Sequence, residues 1–315
     1  TSLQQPDEPR ISRPRYYDND THAFSSNNLY KLKNEAELNA NLIFFHDRER
    51  THGASQTTYF LPEGTKVISE DLRNRGTIDQ LEGELRYNIN KKQLYFNNLL
   101  ELKASWEQEH GIVSAGEDLT QQMRQRYLSA TNTSHWVRTK ADGKGGEILW
   151  RNAIATSPHR LSIQPGLYAP RINSGAPYAE LTQDVRHRAF LSFAELALLS
   201  AWHIGGLQIS PRLFLQAQHQ ALDTELGATS LTGTYQTLPS RDMHNGISFT
   251  RLGAGLGHEL SYKSEVFSLH AVLPLFYYHT LMQDGFRPSE KLSAGAVCVA
   301  KGTRRGSYTS SRGAG

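Results

Sequence analysis

The segment from Ile78 to Glu107 restricts the fold most, because apolar and polar side chains alternate along it on both sides of a short polar turn at Asn90–Lys92. Successive side chains of a β-strand point to opposite faces, so residues two apart share a face. One face therefore carries Leu81, Gly83, Leu85, Tyr87, Ile89, Leu94, Phe96, Leu100, Leu102, Ala104 and Trp106. The other carries Gln80, Glu82, Glu84, Arg86, Asn88, Tyr95, Asn97, Glu101, Lys103, Ser105 and Glu107. The pattern predicts a β-hairpin with one face in an apolar medium and the other in water.

The length of this alternation favours a membrane environment. It extends over roughly 12 to 14 residues in each arm, whereas a soluble strand typically has about five or six and a membrane-crossing strand needs about 9 to 11. A second segment, from Tyr30 to Phe44, shows the same split. We therefore predict an all-β fold, an antiparallel transmembrane β-barrel, in preference to a soluble β-protein.

The predicted connections alternate between tight turns and long loops. Tight turns fall near Asn90, Gly143, Gly205 and Lys263, and long loops follow Glu107, Gln164, Gln220 and Leu281. The polar stretch from His46 to about Thr65 is also predicted to be a loop, and the run from Glu117 to Met123 a short helix. Outer-membrane barrels have short turns at one edge and longer loops at the other, so this asymmetry supports the barrel.

Composition limits the other classes of function. The chain has 315 residues with 34 basic and 31 acidic side chains, so no basic field for nucleic acid is indicated. No apolar run approaches the roughly 18 residues that a transmembrane helix needs. The one cysteine, Cys298, rules out an intramolecular disulfide and a multi-cysteine metal site. We divide the chain into a polar N-terminal segment (1–28), a partial outer-membrane β-barrel (29–302) and a polar tail (303–315).

Two stretches of the hairpin resemble a known family. Arg73–Leu85 (RNRGTIDQLEGEL) and Asn97–Glu107 (NNLLELKASWE) are similar to the barrel of TonB-dependent outer-membrane receptors, of the type in which a carboxypeptidase-regulatory-like domain and a plug precede the barrel. Ser157–Leu161, Gln220–Leu226 and Val272–Tyr278 look like further segments of such barrels. The resemblance is diffuse and covers about residues 28 to 300.

The resemblance implies a non-enzymatic receptor in the cell outer membrane that imports a nutrient. It implies contact with outer-membrane lipid, coupling to the TonB complex through a plug, and a possible surface lipoprotein partner, with no nucleic acid. Such barrels have 22 strands, whereas about ten can be counted here, and neither a plug nor an aromatic terminal strand is evident. We therefore expect a partial barrel, from a fragment or a truncated form, and the ligand class (glycan, siderophore or vitamin) stays open.

The candidate ligand- or lumen-facing residues are charged side chains on the polar faces of predicted strands: Lys31, Lys33, Glu35, Glu37, Glu82, Glu84, Arg86, Glu101, Lys103 and Arg212. The alternative is that they are solvated and form ion pairs with neighbouring strands. The candidate membrane-interface aromatics are Trp106, Trp150, Trp202 and Tyr277, since such rings favour the bilayer surface. Packing in a protein core is the alternative for these four.

Signals for catalysis are weak. Glu82 and Glu84 could suggest an ADP-ribosyltransferase pair, but the strand period already accounts for both carboxylates. Gly253–Gly257 lacks the Lys-Ser/Thr that follows a phosphate loop, and the histidines show no metal-ligand spacing. We predict no enzymatic activity, no cofactor and no metal. The alternative function is a soluble secreted all-β module that binds a glycan or a protein.

Overall fold

The computed structural model describes residues 3, 18–114, 118–164, 178–238, 244–263, 267–284, 287–296 and 299–304. Nearly all of them are in strands, which are β1 (Asp18–Lys31), β2 (Ala36–Leu61), β3 (Gly64–Lys91), β4 (Leu94–Ser114), β5 (Asp118–Thr139), β6 (Gly145–Gln164), β7 (Tyr178–Leu199), β8 (Trp202–Ile204), β9 (Leu207–Ser230), β10 (Tyr235–Thr237), β11 (His244–Lys263), β12 (Phe267–Asp284), β13 (Arg287–Ala296) and β14 (Val299–Arg304). A 3₁₀ turn at Lys33–Glu35 joins β1 to β2. Among the described residues, no helix is long and apolar enough to cross a membrane.

The strands form one 14-stranded antiparallel sheet in which the long strands pair in the order in which they occur in the sequence. The continuous path runs β1-β2-β3-β4-β5-β6-β7-β9-β11-β12-β13, while the short β8 and β10 pair with β9 and β14 pairs with β12. Within the described residues, β1 does not pair with β13 or β14, so the sheet is open. The predicted all-β antiparallel fold is confirmed, and an open sheet is what a partial barrel requires.

Several predicted loops are wrong, because the strands are longer than their alternating parts. β2 has 26 residues and β3 has 28, and they meet at a two-residue turn, so the stretch from His46 to Thr65 is a hairpin rather than a loop. β4 and β5 likewise replace the loop after Glu107 and the helix from residue 118 onward. β9, β10 and β12 extend into the loops predicted after Gln220 and Leu281. Most of these extensions lack a regular alternation of apolar and polar residues, while the backbone ladder continues through them.

The sheet also changes the ends of the predicted segments. β1 begins at Asp18, inside the polar N-terminal segment, and the predicted strand from Tyr30 is interrupted by the 3₁₀ turn that contains Lys33 and Glu35. The predicted last strand is divided between β13 and β14. The turns at 140–144 and Gly205–Gly206 are confirmed, and the hairpin turn lies at 92–93. Residues 165–177, 264–266, Cys298 and the tail from Arg305 lie outside the described part.

The register aligns apolar side chains from different strands on one face. Directly paired residues share a face, and one row of such pairs is apolar from β2 to β12: Ala36, Ile89, Phe96, Trp136, Ile148, Leu196, Leu213, Leu256 and Leu275. We call this side of the sheet the apolar face and the opposite side, which carries Glu82 and Glu84, the polar face. The turn end of the sheet has the 92–93 turn, and the overhang end has the extended hairpins such as that of β2 and β3.

No second layer covers the apolar face among the described residues. Leu85, Leu102 and Leu256 are 43%, 46% and 66% exposed, and other large apolar side chains on this face are similarly open. The core cluster of buried side chains is small and lies at the overhang end, where Tyr178, Leu181, Ala228 and Leu238 pack together. A sheet is normally stabilised by burying its apolar face, so this face needs an apolar partner or medium outside the described chain.

Candidate functional site

The exposed apolar side chains form a band that we call the apolar belt. On β3 the belt runs from Leu81 to Ile89, and the next residue on that face toward the overhang end is Asp79. On β11 it runs from Leu252 to Tyr262, interrupted by His258. At about 3.3 Å per residue the belt measures roughly 26 to 33 Å along the strands, close to the ~25 Å apolar band of outer-membrane barrels once strand tilt is included.

The apolar belt crosses the sheet obliquely. Leu252 on β11 is level with Leu85 on β3, which is four residues from Leu81. The overhang-end limit of the belt therefore moves by four residues between these strands. The turn-end limit moves by six residues. Leu213 lies in the row of Ile89, and Tyr262 pairs with Leu207, six positions beyond Leu213 toward the turn end. A shift of about five residues over roughly six strand spacings means that the strands tilt by about 30° from the perpendicular to the belt. This angle is near the 35–45° tilt of strands in membrane barrels.

The polar face of the hairpin brings together most of the charged residues predicted there. Lys103 Nζ lies 3.5 Å from Glu82, and the Arg86 guanidinium lies 3.4 Å from Glu84. Glu84 also pairs directly with Glu101 across the β3–β4 ladder. The Lys103–Glu82 pair joins neighbouring strands, as the alternative interpretation expected, whereas Arg86 and Glu84 pair within β3. These side chains are exposed or half-buried and remain accessible to a ligand.

The other four predicted polar residues near the N-terminus divide into two groups. Lys31 and Glu37 pair directly across β1 and β2 on the polar face, level with Asn88. Lys33 and Glu35 lie in the exposed 3₁₀ turn, so their assignment to a strand face is wrong. Glu35 adopts a positive φ of 58°, which shows that the chain reverses there instead of continuing as a strand.

Arg212 is the centre of a charge cluster at the turn end of the polar face. Its guanidinium contacts Glu195 and Glu259, and one of its nitrogens lies 3.5 Å from Glu147. Glu147 also lies 2.7 Å from His135. One guanidinium therefore faces three carboxylates, and each of these four side chains is at most one-fifth exposed. The cluster ties β6, β7, β9 and β11 together through side chains.

A second acidic group lies on the polar face at the overhang end. A Cβ placed on Gly76 would lie 3.2 Å from the Cγ of Glu49 and 3.6 Å from the Cγ of Glu109, so the glycine leaves room for both side chains. Burial, and the nearby charges of Glu107 and Glu49, raise the pKa of Glu109 to about 7. Burial also raises the pKa of Glu107. Glu109 is level with Gly76, five residues beyond the apolar belt on β3.

The predicted interface aromatics lie on the apolar face near the two limits of the belt. Trp106 pairs with Asp79 just beyond the overhang-end limit. Trp150 and Tyr277 lie in the row of Tyr87 and Ala254, which is next to the turn-end limit of the belt on β3 but next to the overhang-end limit on β11. Trp202 pairs with Ile209, which is level with Leu260 near the turn-end limit. All four are between 42% and 55% exposed, so none of them is in a core, although their role at a membrane interface stays a prediction.

Sequence reasoning missed Glu147, Glu195 and Glu259 as partners of Arg212, and Glu49 and Glu109 as neighbours of Glu107. Each lies in phase with the polar face of its own strand, which is the signal that could have found it. Their convergence depends on the register of strands that are distant in sequence. Among the described residues, no group of three His, Cys, Asp or Glu side chains is arranged to hold a metal ion.

Comparison with known proteins gives a weak structural likeness and no sequence match. No protein-family model and no curated protein matches the chain. Among solved structures, the fold is similar to the ferric yersiniabactin uptake receptor FyuA from Yersinia pestis, with a TM-score of 0.24 and 8% identity over 95% of this chain. This chain spans 62% of the length of that receptor chain. A likeness at this level adds nothing to the interpretation of the site.

Proposed function

We propose that the chain forms part of the wall of an outer-membrane β-barrel of the TonB-dependent receptor type, through which a nutrient is taken up. The apolar face contacts lipid hydrocarbon, and the polar face lines the lumen. The observation that carries this proposal is the uncovered apolar belt, whose height and obliquity suit a bilayer. In this assignment the protein is not an enzyme, and energy reaches it from the TonB complex through a plug.

The polar face has the features of a lumen that binds and releases a polar solute. Glu82, Glu84, Glu101 and Lys103 present charge without deep burial, so a ligand can exchange with the existing ion pairs. The more buried Arg212 cluster fixes the wall at the turn end, and the acidic group around Gly76 lies at the overhang end. Neither the Arg212 cluster nor the acidic group around Gly76 defines the class of ligand, because the polar face as a whole carries both positive and negative side chains.

Extraction and insertion test the proposal. The chain should require detergent for extraction and, after refolding into phosphatidylcholine vesicles, should show a gel mobility that changes on heating. Tryptophan fluorescence should be quenched by lipids brominated in their acyl chains, because Trp136 and Trp150 lie on the apolar face within the belt. A monomer that is soluble in buffer and unquenched would contradict the proposal and would favour the secreted binding module.

A further inference from the structure

Three basic residues mark the turn end of the apolar face, where the apolar belt stops. Lys91 on β3 and Arg138 on β5 both pair with Leu94 on β4, so they lie in one row, two residues beyond the row of Ile89. Lys140 follows two residues after Arg138, at the start of the turn between β5 and β6. We call Lys91, Arg138 and Lys140 the basic edge.

The basic edge keeps its positive charge. All three residues are exposed. In the part of the chain that the structure describes, no acidic side chain lies within ion-pair distance of any of them. Asp142, the acidic residue of the same turn, accepts a hydrogen bond of 3.2 Å from the backbone nitrogen of Lys144. The three cations are therefore available to an anion from outside the chain.

The height of the basic edge matches a lipid headgroup layer. From Ile89 on β3, the turn-end limit of the belt moves by about one residue per strand toward β11, so on β5 it falls at Arg138. Lys91 and Lys140 each lie two residues past the limit on their own part of the sheet. This is roughly 7 Å along the strand, and less along the membrane normal because of strand tilt. Headgroups occupy about 5 to 8 Å on each side of the hydrocarbon.

An apolar cleft opens in the belt beside Arg138. Gly146 is directly opposite Arg138 in the β5–β6 ladder and has no side chain to fill the space above it. A Cβ placed there would meet nothing closer than a backbone oxygen at 3.8 Å. The cleft has a volume of about 370 Å³, and its walls on the apolar face include Trp136, Leu198 and Leu256.

The cleft lies inside the belt and is open to the surrounding medium. Gly146 on β6 and Leu198 on β7 are two residues past the row of Ile89, whereas the belt extends about three and four residues past that row on these strands. Leu198 and Leu256 are 60% and 66% exposed. A hydrocarbon chain that enters the cleft from the bilayer is therefore held directly next to a guanidinium group.

We propose, on the basis of the membrane assignment above, that the basic edge and this cleft together bind an anionic glycerophospholipid in the leaflet at the turn end. One acyl chain lies in the cleft at Gly146, and the phosphate accepts hydrogen bonds from Arg138, whose planar fork matches two phosphate oxygens. Lys91 is two strand spacings from Arg138, roughly 10 Å, so the two side chains approach one headgroup from opposite sides. Short turns of outer-membrane barrels face the periplasm, which makes the ligand a phospholipid of the periplasmic leaflet.

Lipid selectivity provides the test. The full chain is refolded into phosphatidylcholine vesicles that contain phosphatidylglycerol as a minor component and is extracted in a non-ionic detergent. Its retained lipids are counted by native mass spectrometry. Each basic residue near an anionic surface contributes about fivefold to binding. We therefore expect phosphatidylglycerol to be enriched at least about tenfold, K91Q/R138Q/K140Q to lose at least about tenfold of that enrichment, and the single variant R138Q to lose about fivefold.

Two further variants separate a built site from general attraction to a charged surface. G146V fills the cleft without changing the charge and should lower the enrichment about threefold, because a handful of carbon–carbon contacts with the acyl chain are lost. The matched control is R48Q/R50Q/R75Q, which removes the same charge at the overhang end and should retain the enrichment. Its arginines are level with Thr77 and Arg75, four and six residues past Leu81, or roughly 13 and 20 Å along the strand. Unchanged enrichment in G146V, or an equal loss in the control, contradicts the proposal.

Heat-modifiable mobility reports insertion separately from lipid binding. A wild-type protein that inserts without enriching phosphatidylglycerol overturns the lipid site alone, whereas one that does not insert overturns the membrane assignment as well. Inorganic phosphate at about 10 mM should not displace the lipid, since it lacks the chain that occupies the cleft. Complete displacement would show a free-anion site and contradict the proposal.

Discussion

Substitution of Leu85 by Arg distinguishes lipid from water as the medium of the apolar face. Leu85 lies in the middle of the belt on β3, between Leu81 and Ile89, and is 43% exposed. An arginine on the lipid face at the bilayer midplane costs about 2–4 kcal/mol, which corresponds to roughly a 30- to 1,000-fold change in the folding equilibrium. On a water-exposed surface the same change is usually within about 0.5 kcal/mol.

The control variant is T131R, which adds an arginine at nearly the same depth on the polar face. Thr131 pairs with Glu101, which in turn pairs with Glu84, so the new charge would face two carboxylates. We expect T131R to change stability by less than about 0.5 kcal/mol. Both variants are unfolded by urea after refolding into phosphatidylcholine vesicles, with heat-modifiable mobility as the readout. Equal midpoints for L85R and T131R would refute the assignment of the apolar face to lipid.

Three further predictions address the polar face and one turn. The pKa of Glu109 is raised to about 7 in the folded protein, so the folded state keeps a proton that the unfolded state releases near pH 4.5. The free energy of unfolding therefore falls as pH rises between these two values. The variant E109Q should remove that decline, and its urea midpoint should exceed the wild-type midpoint at pH 8 but not at pH 4. R212M should destabilise the sheet by about 2–4 kcal/mol, because three carboxylates are left facing one another. Adding E195Q and E259Q should restore most of the lost stability. No recovery in the urea midpoint would argue against the charge cluster. G145A should lower the thermal unfolding midpoint, because the added Cβ would lie 2.1 Å from the backbone oxygen of Arg138. The control G83A should have little effect, because the nearest atom to its added Cβ is 3.9 Å away. Similar midpoints for the two variants would contradict this packing.

The alternating part of each strand could be predicted from the sequence, and the rest of the strand could not. The segment from Leu81 to Ile89 predicts a strand because every second residue is apolar. The same strand continues to Gly64 through Asp71, Arg73 and Arg75, where both faces are polar and no period remains. Predicted loops therefore became extended hairpins wherever the chain leaves the apolar belt. Local propensity did not reveal them, because ladder hydrogen bonds to neighbouring strands stabilise them without an alternating apolar face.

The candidate site depends on information that no single segment contains. Glu82, Glu84 and Lys103 could be placed on one face because they belong to one hairpin. The neighbours of Arg212 come from β6, β7 and β11, and only the register of the whole sheet brings them together.

The sheet also restricts how a barrel containing it can close. Consecutive strands on the continuous path are antiparallel, and that path has eleven strands from β1 to β13. β14 pairs with β12 in the same sense as β13, so these two short strands belong to one edge. The two edge strands therefore run in the same direction, and pairing them directly would create a parallel contact. Bacterial outer-membrane barrels have even numbers of antiparallel strands, so an all-antiparallel barrel that includes this sheet must contain an odd number of further strands. Those strands would pair with both edges of the sheet.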